Sequence, residues 1–96
     1  MEENSSNIEY LEEQDSFFID SKIIDFTEKE HKVFSYLYFN KNNTVSKEVL
    51  ANILELSVQS RSLDIHISNI RKKLGEEISN PKYLKVIYGH GIRLDI

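Results

Sequence analysis

The sequence predicts an α+β fold, with a small N-terminal antiparallel sheet, three helices and a C-terminal β-hairpin. Three observations predict it. Short strand-like runs precede residue 30, apolar residues then recur at helical spacing to residue 74, and all three Gly and the only Pro lie between positions 75 and 91. Ninety-six residues, 40% of them hydrophobic and ten of them Phe or Tyr, suffice for one compact core and leave no material for a second.

The strand-like runs are NIEYLEE, FFID and KIIDF, the last two separated by a turn at Asp20 and Ser21. Two to four antiparallel strands are expected there. The first helix is expected at TEKEHKVFSYLYFN, because Thr27 followed three residues later by Glu30 has the form of a capping box. Its buried stripe is Val33, Phe34, Leu37 and Tyr38. Positions 40–44 hold no apolar residue and break the pattern. Ser46 can cap a second helix, SKEVLANILEL, with Val49, Leu50, Ile53 and Leu54 facing inward. A third helix is expected over 58–74, closed by Gly75, and YLKVIY and IRLDI then form a hairpin through GHG, whose glycines tolerate positive φ. A short turn between the second and third helices, followed by a hairpin, is the winged helix-turn-helix arrangement.

Charge is divided along the chain. The net charge is −4, yet residues 1–30 hold ten acids against two lysines, and residues 31–96 hold ten Lys or Arg against six acids. Salt screens exposed charges over about 8 Å, so an acidic face need not cancel a basic one. Residues 1–14 are therefore expected as an acidic lead-in and 15–96 as the domain; the lead-in is also a candidate to fold over the basic helix and compete with its ligand. The acidic start is unlike a signal peptide, and no run approaches a membrane span. With no cysteine, disulfides and cysteine-ligated zinc are excluded, and a cytoplasmic setting is expected. His31, His66 and His90 have no metal-ligand spacing, and Asp64 and His66, two apart on a helix, do not face each other as a hydrolytic pair would. No enzymatic activity, metal, cofactor or small-molecule substrate is expected.

The stretch RSLDIHISNIRKKL carries the chemistry. Leu63, Ile67, Ile70 and Leu74 form its buried stripe. Arg61, Arg71, Lys72 and Lys73 offer cations for phosphate, while Ser62, Ile65, Ser68 and Asn69 are short or methyl-bearing groups suited to base edges in a major groove. Ile65 is the candidate for a thymine methyl and Asn69 for a bidentate adenine pair. His66, at the edge of the stripe, could donate to a phosphate oxygen. Plainer accounts exist for some of these: the three C-terminal cations suit the helix dipole, and Arg61 with Asp64 could be an exposed ion pair. Four to six phosphate contacts imply a salt slope of about −4 to −5.

Together with TVSKEVL before it and VIYGHGIRL after it, this stretch resembles the winged helix-turn-helix effector domain of OmpR/PhoB-type bacterial response regulators. The family pattern of Arg, hydroxyl, apolar, Asp, apolar, His, Ile, two variable positions, apolar, Arg and Lys is matched from Arg61 to Lys72, and the wing pattern at Gly89, Gly91 and Arg93. The resemblance covers residues 17–96. It implies a sequence-specific transcription regulator whose partner is double-stranded DNA, with the third helix in the major groove and the wing, through Tyr88, His90 and Arg93, near the minor groove. A homodimer on direct repeats and an RNA polymerase contact by the loop before the third helix are further implications. Asn69 and Tyr88 stand where relatives usually carry a basic residue, Ile92 replaces an aromatic, and ELSVQ is shorter than the usual connection. No receiver domain accompanies the motif, and an excised effector domain is the favoured expectation. A winged helix used for protein interaction, without DNA, is the alternative that the acidic net charge supports.

Overall fold

The computed structural model describes residues 8–55, 62–75 and 82–96. Strands β1 (Ile8–Leu11), β2 (Ser16–Ile19) and β3 (Lys22–Ile23) form an antiparallel sheet in that order, with Tyr10 opposite Phe17 and Phe18 opposite Ile23. Asp20 and Ser21 both adopt positive φ (51° and 67°), the geometry a two-residue hairpin connection requires. The sheet begins inside the segment expected as lead-in. Ile8 is buried and Tyr10 packs against Phe17 at 4.8 Å between ring centroids, so residues 8–11 belong to the folded unit, because the alternate side chains Ile8 and Tyr10 are apolar or aromatic despite the surrounding acids, and the turn at 12–14 carries the chain on into β2.

Helix α1 (Glu28–Phe39) starts at the capping box: Glu30 N–H donates to Thr27 Oγ1 at 3.2 Å, and Thr27 N–H donates to Glu30 Oε1 at 2.9 Å. Helix α2 (Lys47–Ile53) is capped by Ser46, whose Oγ accepts from Val49 N–H. It is shorter than its apolar pattern, since Glu55 turns to a positive φ of 58° just beyond its end. Helix α3 spans Ser62–Lys73, and Gly75, at φ +77°, closes it. The expected first turn of this helix, the loop before it and residues 76–81 lie outside the described residues.

Strands β4 (Leu84–Ile87) and β5 (Gly91–Leu94) make the expected hairpin, with Lys85 opposite Arg93. The segment 40–45, which looks like a plain connection in the sequence, is stitched to this hairpin. Asn42 N–H donates to Leu94 O, its side-chain amide exchanges two hydrogen bonds with the backbone of Ile96, and Val45 and Ile92 exchange backbone bonds of 2.8 Å each. Gly91 makes the closest of these crossings feasible: a Cβ there would stand 2.1 Å from Val45 O, and its φ is +148°. One core results, from Phe17 of the sheet through Val33, Phe34 and Leu37 of α1 and Leu50 of α2 to Ile70 of α3 and Leu84, Ile92 and Leu94 of the hairpin, all fully buried.

A candidate nucleic-acid interface

Helix α3 is held on three sides. Leu63, Ile67, Ile70 and Leu74 sink into the core, as their spacing requires. One flank ties to α1: Lys73 Nζ donates to Glu30 Oε1 at 2.5 Å and to the carbonyl of Asp25 at 2.8 Å. Glu30 is only 3% exposed. Burial alone would raise its pKa, but the Lys73 ammonium and the Thr27 N–H outweigh burial and hold the carboxyl below its ordinary value. On the opposite flank Arg71 Nε donates to Leu84 O of β4 at 3.0 Å, and Asp64 accepts from Lys47 of α2 at 3.3 Å.

These ties correct part of the sequence reading. Lys73 is a strut to α1 rather than an outward cation, because its stem follows the flank where the buried Glu30 needs a counter-charge. Arg71 spends its Nε on the hairpin; its two terminal nitrogens remain as donors oriented by that bond. His66 is half-buried and its Nδ1 is sealed inside with no hydrogen-bond partner among the described residues, so only Nε2 is left for a phosphate. Arg61 lies outside the described residues.

The fourth side faces outward. Ile65, 57% exposed, lies one turn or two from Ser68, Asn69 and Lys72, a stripe opposite the buried one, with Ser62 at its edge. Lys72 is exposed and has no ion pair among the described residues. The structure thus brings Ile65, Ser68, Asn69 and Lys72 together on one accessible surface, anchored from behind.

Of the wing residues, Tyr88 is 96% exposed and His90 is exposed beside it in the turn between β4 and β5. Arg93 is not at the tip. It forms two bonds to Asp95, at 2.5 and 3.0 Å, and Lys85 across the ladder reaches the same carboxylate at 3.1 Å. Asp95 separates two cations that would otherwise repel, and hydrogen bonding from Arg93, opposed by burial and reinforced by Lys85, holds its pKa below the ordinary value. Lys47, paired to Asp64 beside this surface, is a cation that the sequence reading does not single out. A lysine in the first turn of a helix works against the dipole, and that was the available signal.

Among the described residues no three His, Cys, Asp or Glu side chains converge as a metal site, and no helix is long and apolar enough to cross a membrane.

Comparison with known proteins agrees with this geometry. The family model for "Transcriptional regulatory protein, C terminal" matches residues 20–94. The CpxR homolog of Haemophilus influenzae is 38% identical over 74 residues, covering 74% of this chain and 33% of that protein. The chain spans about a third of the length of the curated relatives it matches. Among solved structures, the DNA-binding domain of response regulator AdeR, in complex with an intercistronic region, is 30% identical with a TM-score of 0.77 and 96% of each chain covered. DrrB, an OmpR/PhoB homolog of Thermotoga maritima, is 25% identical with a TM-score of 0.84, covering 98% of this chain and 44% of DrrB. With three-quarters of its length matched, and the anchored helix and hairpin in the places such domains have them, the chain belongs to the family of transcriptional regulatory protein C-terminal domains of the OmpR/PhoB type.

Proposed function

We propose that this chain binds double-stranded DNA sequence-specifically to regulate transcription, laying α3 in the major groove with the hairpin tip beside the minor groove. The observation that carries the reading is the outward stripe of α3. Four side chains suited to base edges and phosphate stay accessible while both flanks and the rear of the helix are bonded to three other elements. A rigid rod of that width fits the major groove. The related AdeR domain in complex with an intercistronic region supports DNA as the partner. Among the described residues the cations left for phosphate are Lys72, the terminal nitrogens of Arg71 and the half-exposed Lys47, which by themselves give a salt slope of about −3.

Such weak single-copy binding suits two copies on direct repeats in a bacterial cytoplasm. The expected polymerase-contacting loop falls outside the described residues. The experiment is a titration with random and selected duplexes across salt concentrations. Tighter binding to a selected site, and a slope shallower by about one unit in Lys72→Ala on both duplexes, are expected. A folded chain that ignores duplex DNA at low salt would reject the reading. It would leave the protein-interaction alternative, for which the exposed Phe39 and Tyr36, beside Ile53 in a groove between α1 and α2, are the surface to test.

A further inference from the structure

A duplex that admits α3 to one groove and the hairpin to the next must run a phosphate strand between them. Among the described residues there is a place for it. Between the start of α2 and the hairpin turn lies a cleft of about 450 Å³, lined by Ser46, Lys47 and Glu48 on one wall and by residues 86–91 on the other. Lys47 closes this cleft toward α3, where its ammonium lies 3.3 Å from Asp64 Oδ1.

Its position is fixed by backbone bonds. The Ser46 hydroxyl caps α2 immediately before it, and Val45 is paired to Ile92 of the hairpin on both sides of one bridge. The lysine sits at the first residue of α2, where the helix dipole disfavours a cation, so helix stability does not explain its presence. Residues that violate a local preference are expected at functional sites.

We propose that Lys47 is the phosphate contact that holds the strand separating the two grooves, and that Asp64 is its positioning residue. The inference rests on the DNA-binding reading above. Lys47 has three N–H donors, so it can keep its bond to Asp64 and still donate to a phosphate oxygen. Asp64 thereby has an unexpected sign. A carboxylate on a DNA-facing helix should repel phosphate, yet here it promotes binding by restraining a flexible lysine stem. Without Lys47 the same carboxylate is a plain repulsive charge. Glu48, on the same wall of the cleft, has no such partner among the described residues and remains repulsive throughout.

The test is a double-mutant cycle on a random-sequence duplex and on a selected one, read as salt slopes and affinities of the whole chain. Lys47→Ala should make the slope shallower by about one unit and weaken both duplexes alike, as loss of a phosphate contact does. Asp64→Asn alone should weaken binding by up to about fivefold, the scale of an exposed ion pair. Asp64→Asn in the Lys47→Ala background should instead strengthen it, and that reversal of sign is what a merely structural Asp64 would not produce. Thermal unfolding of each variant separates these effects from loss of fold. If Lys47→Ala leaves the slope unchanged while Lys72→Ala reduces it, the assignment of Lys47 is wrong and the DNA-binding reading stands. Tightening by Asp64→Asn in both backgrounds overturns the positioning role. If neither duplex binds at low salt, the underlying reading falls and this inference with it.

Discussion

Three consecutive cations end α3, and the structure treats them differently. Arg71 and Lys73 are recruited to neighbouring elements, one to the Leu84 carbonyl and the other to Glu30 and Asp25, whereas Lys72 between them is exposed. Positive charge at a helix end thus says little about its use. What separates the three is the direction each stem takes, about 100° apart around the axis, and what lies there. The flanks hold the helix in place, and the outer stripe is left to meet a partner.

The division between anchored and outward residues can be broken most severely from the rear. Ile70→Ala removes a fully buried side chain from under α3 and should cost about 2–5 kcal/mol in chemical denaturation, with sequence preference retained in whatever fraction stays folded. A change of preference at equal occupancy would show that rear packing sets the reading face.

Next in size is the strut to α1. Lys73→Met leaves a buried carboxylate without its charged donor and should cost about 1.5–3 kcal/mol at neutral pH. The sign of its pH dependence follows from Glu30. A carboxyl whose pKa is lower in the folded state than in the unfolded one contributes its stability fully above the unfolded value and loses it as pH falls through the folded value. Removing Lys73 takes away the largest effect that lowers this pKa, so the variant should begin to lose stability at higher pH than the parent. Parallel pH–stability profiles for the two would refute the role given to the pair.

Smaller still is the outer stripe. Asn69→Ala should leave stability within about 0.5 kcal/mol, as exposed positions do, while discrimination at one base pair of the selected site falls by about 1–3 kcal/mol. Unaltered base preference at every position would remove Asn69 from the reading surface. Ile65→Ala should have the mildest effect, a loss of preference confined to a thymine position, measurable by comparing thymine with uracil at that step.

Much of this division was legible in the sequence, because it depends on local periodicity. The buried stripe of α3, the Thr27–Glu30 box, the Ser46 cap and the glycine-bounded hairpin are all relations within a few residues, and the Arg61 to Lys72 pattern carried the family. The misses are long-range. Glu30 served correctly as a capping residue, but nothing near it in the chain points to a lysine 43 positions away. Arg71 and Leu84 are similarly separated by 13 residues, and the bond from one to the other depends on how the hairpin packs. Asn42 looked like part of a loop because its partners, Leu94 and Ile96, complete a sheet edge from the far end of the chain. The lead-in boundary drawn at residue 14 followed charge, and the sheet followed the alternate apolar side chains beneath that charge.

The crossing at Gly91 has one more consequence. With Val45 and Ile92 bonded to each other and no room for even a methyl group between Gly91 and the Val45 carbonyl, the hairpin and the start of α2 are held as a single block, which the Arg71–Leu84 and Lys47–Asp64 bonds tie to α3. On the DNA-binding reading, the distance between the two insertions is therefore set by the protein, and any adjustment of groove width falls to the duplex. Sequences that deform easily between the contacted steps would be favoured even where no side chain touches a base.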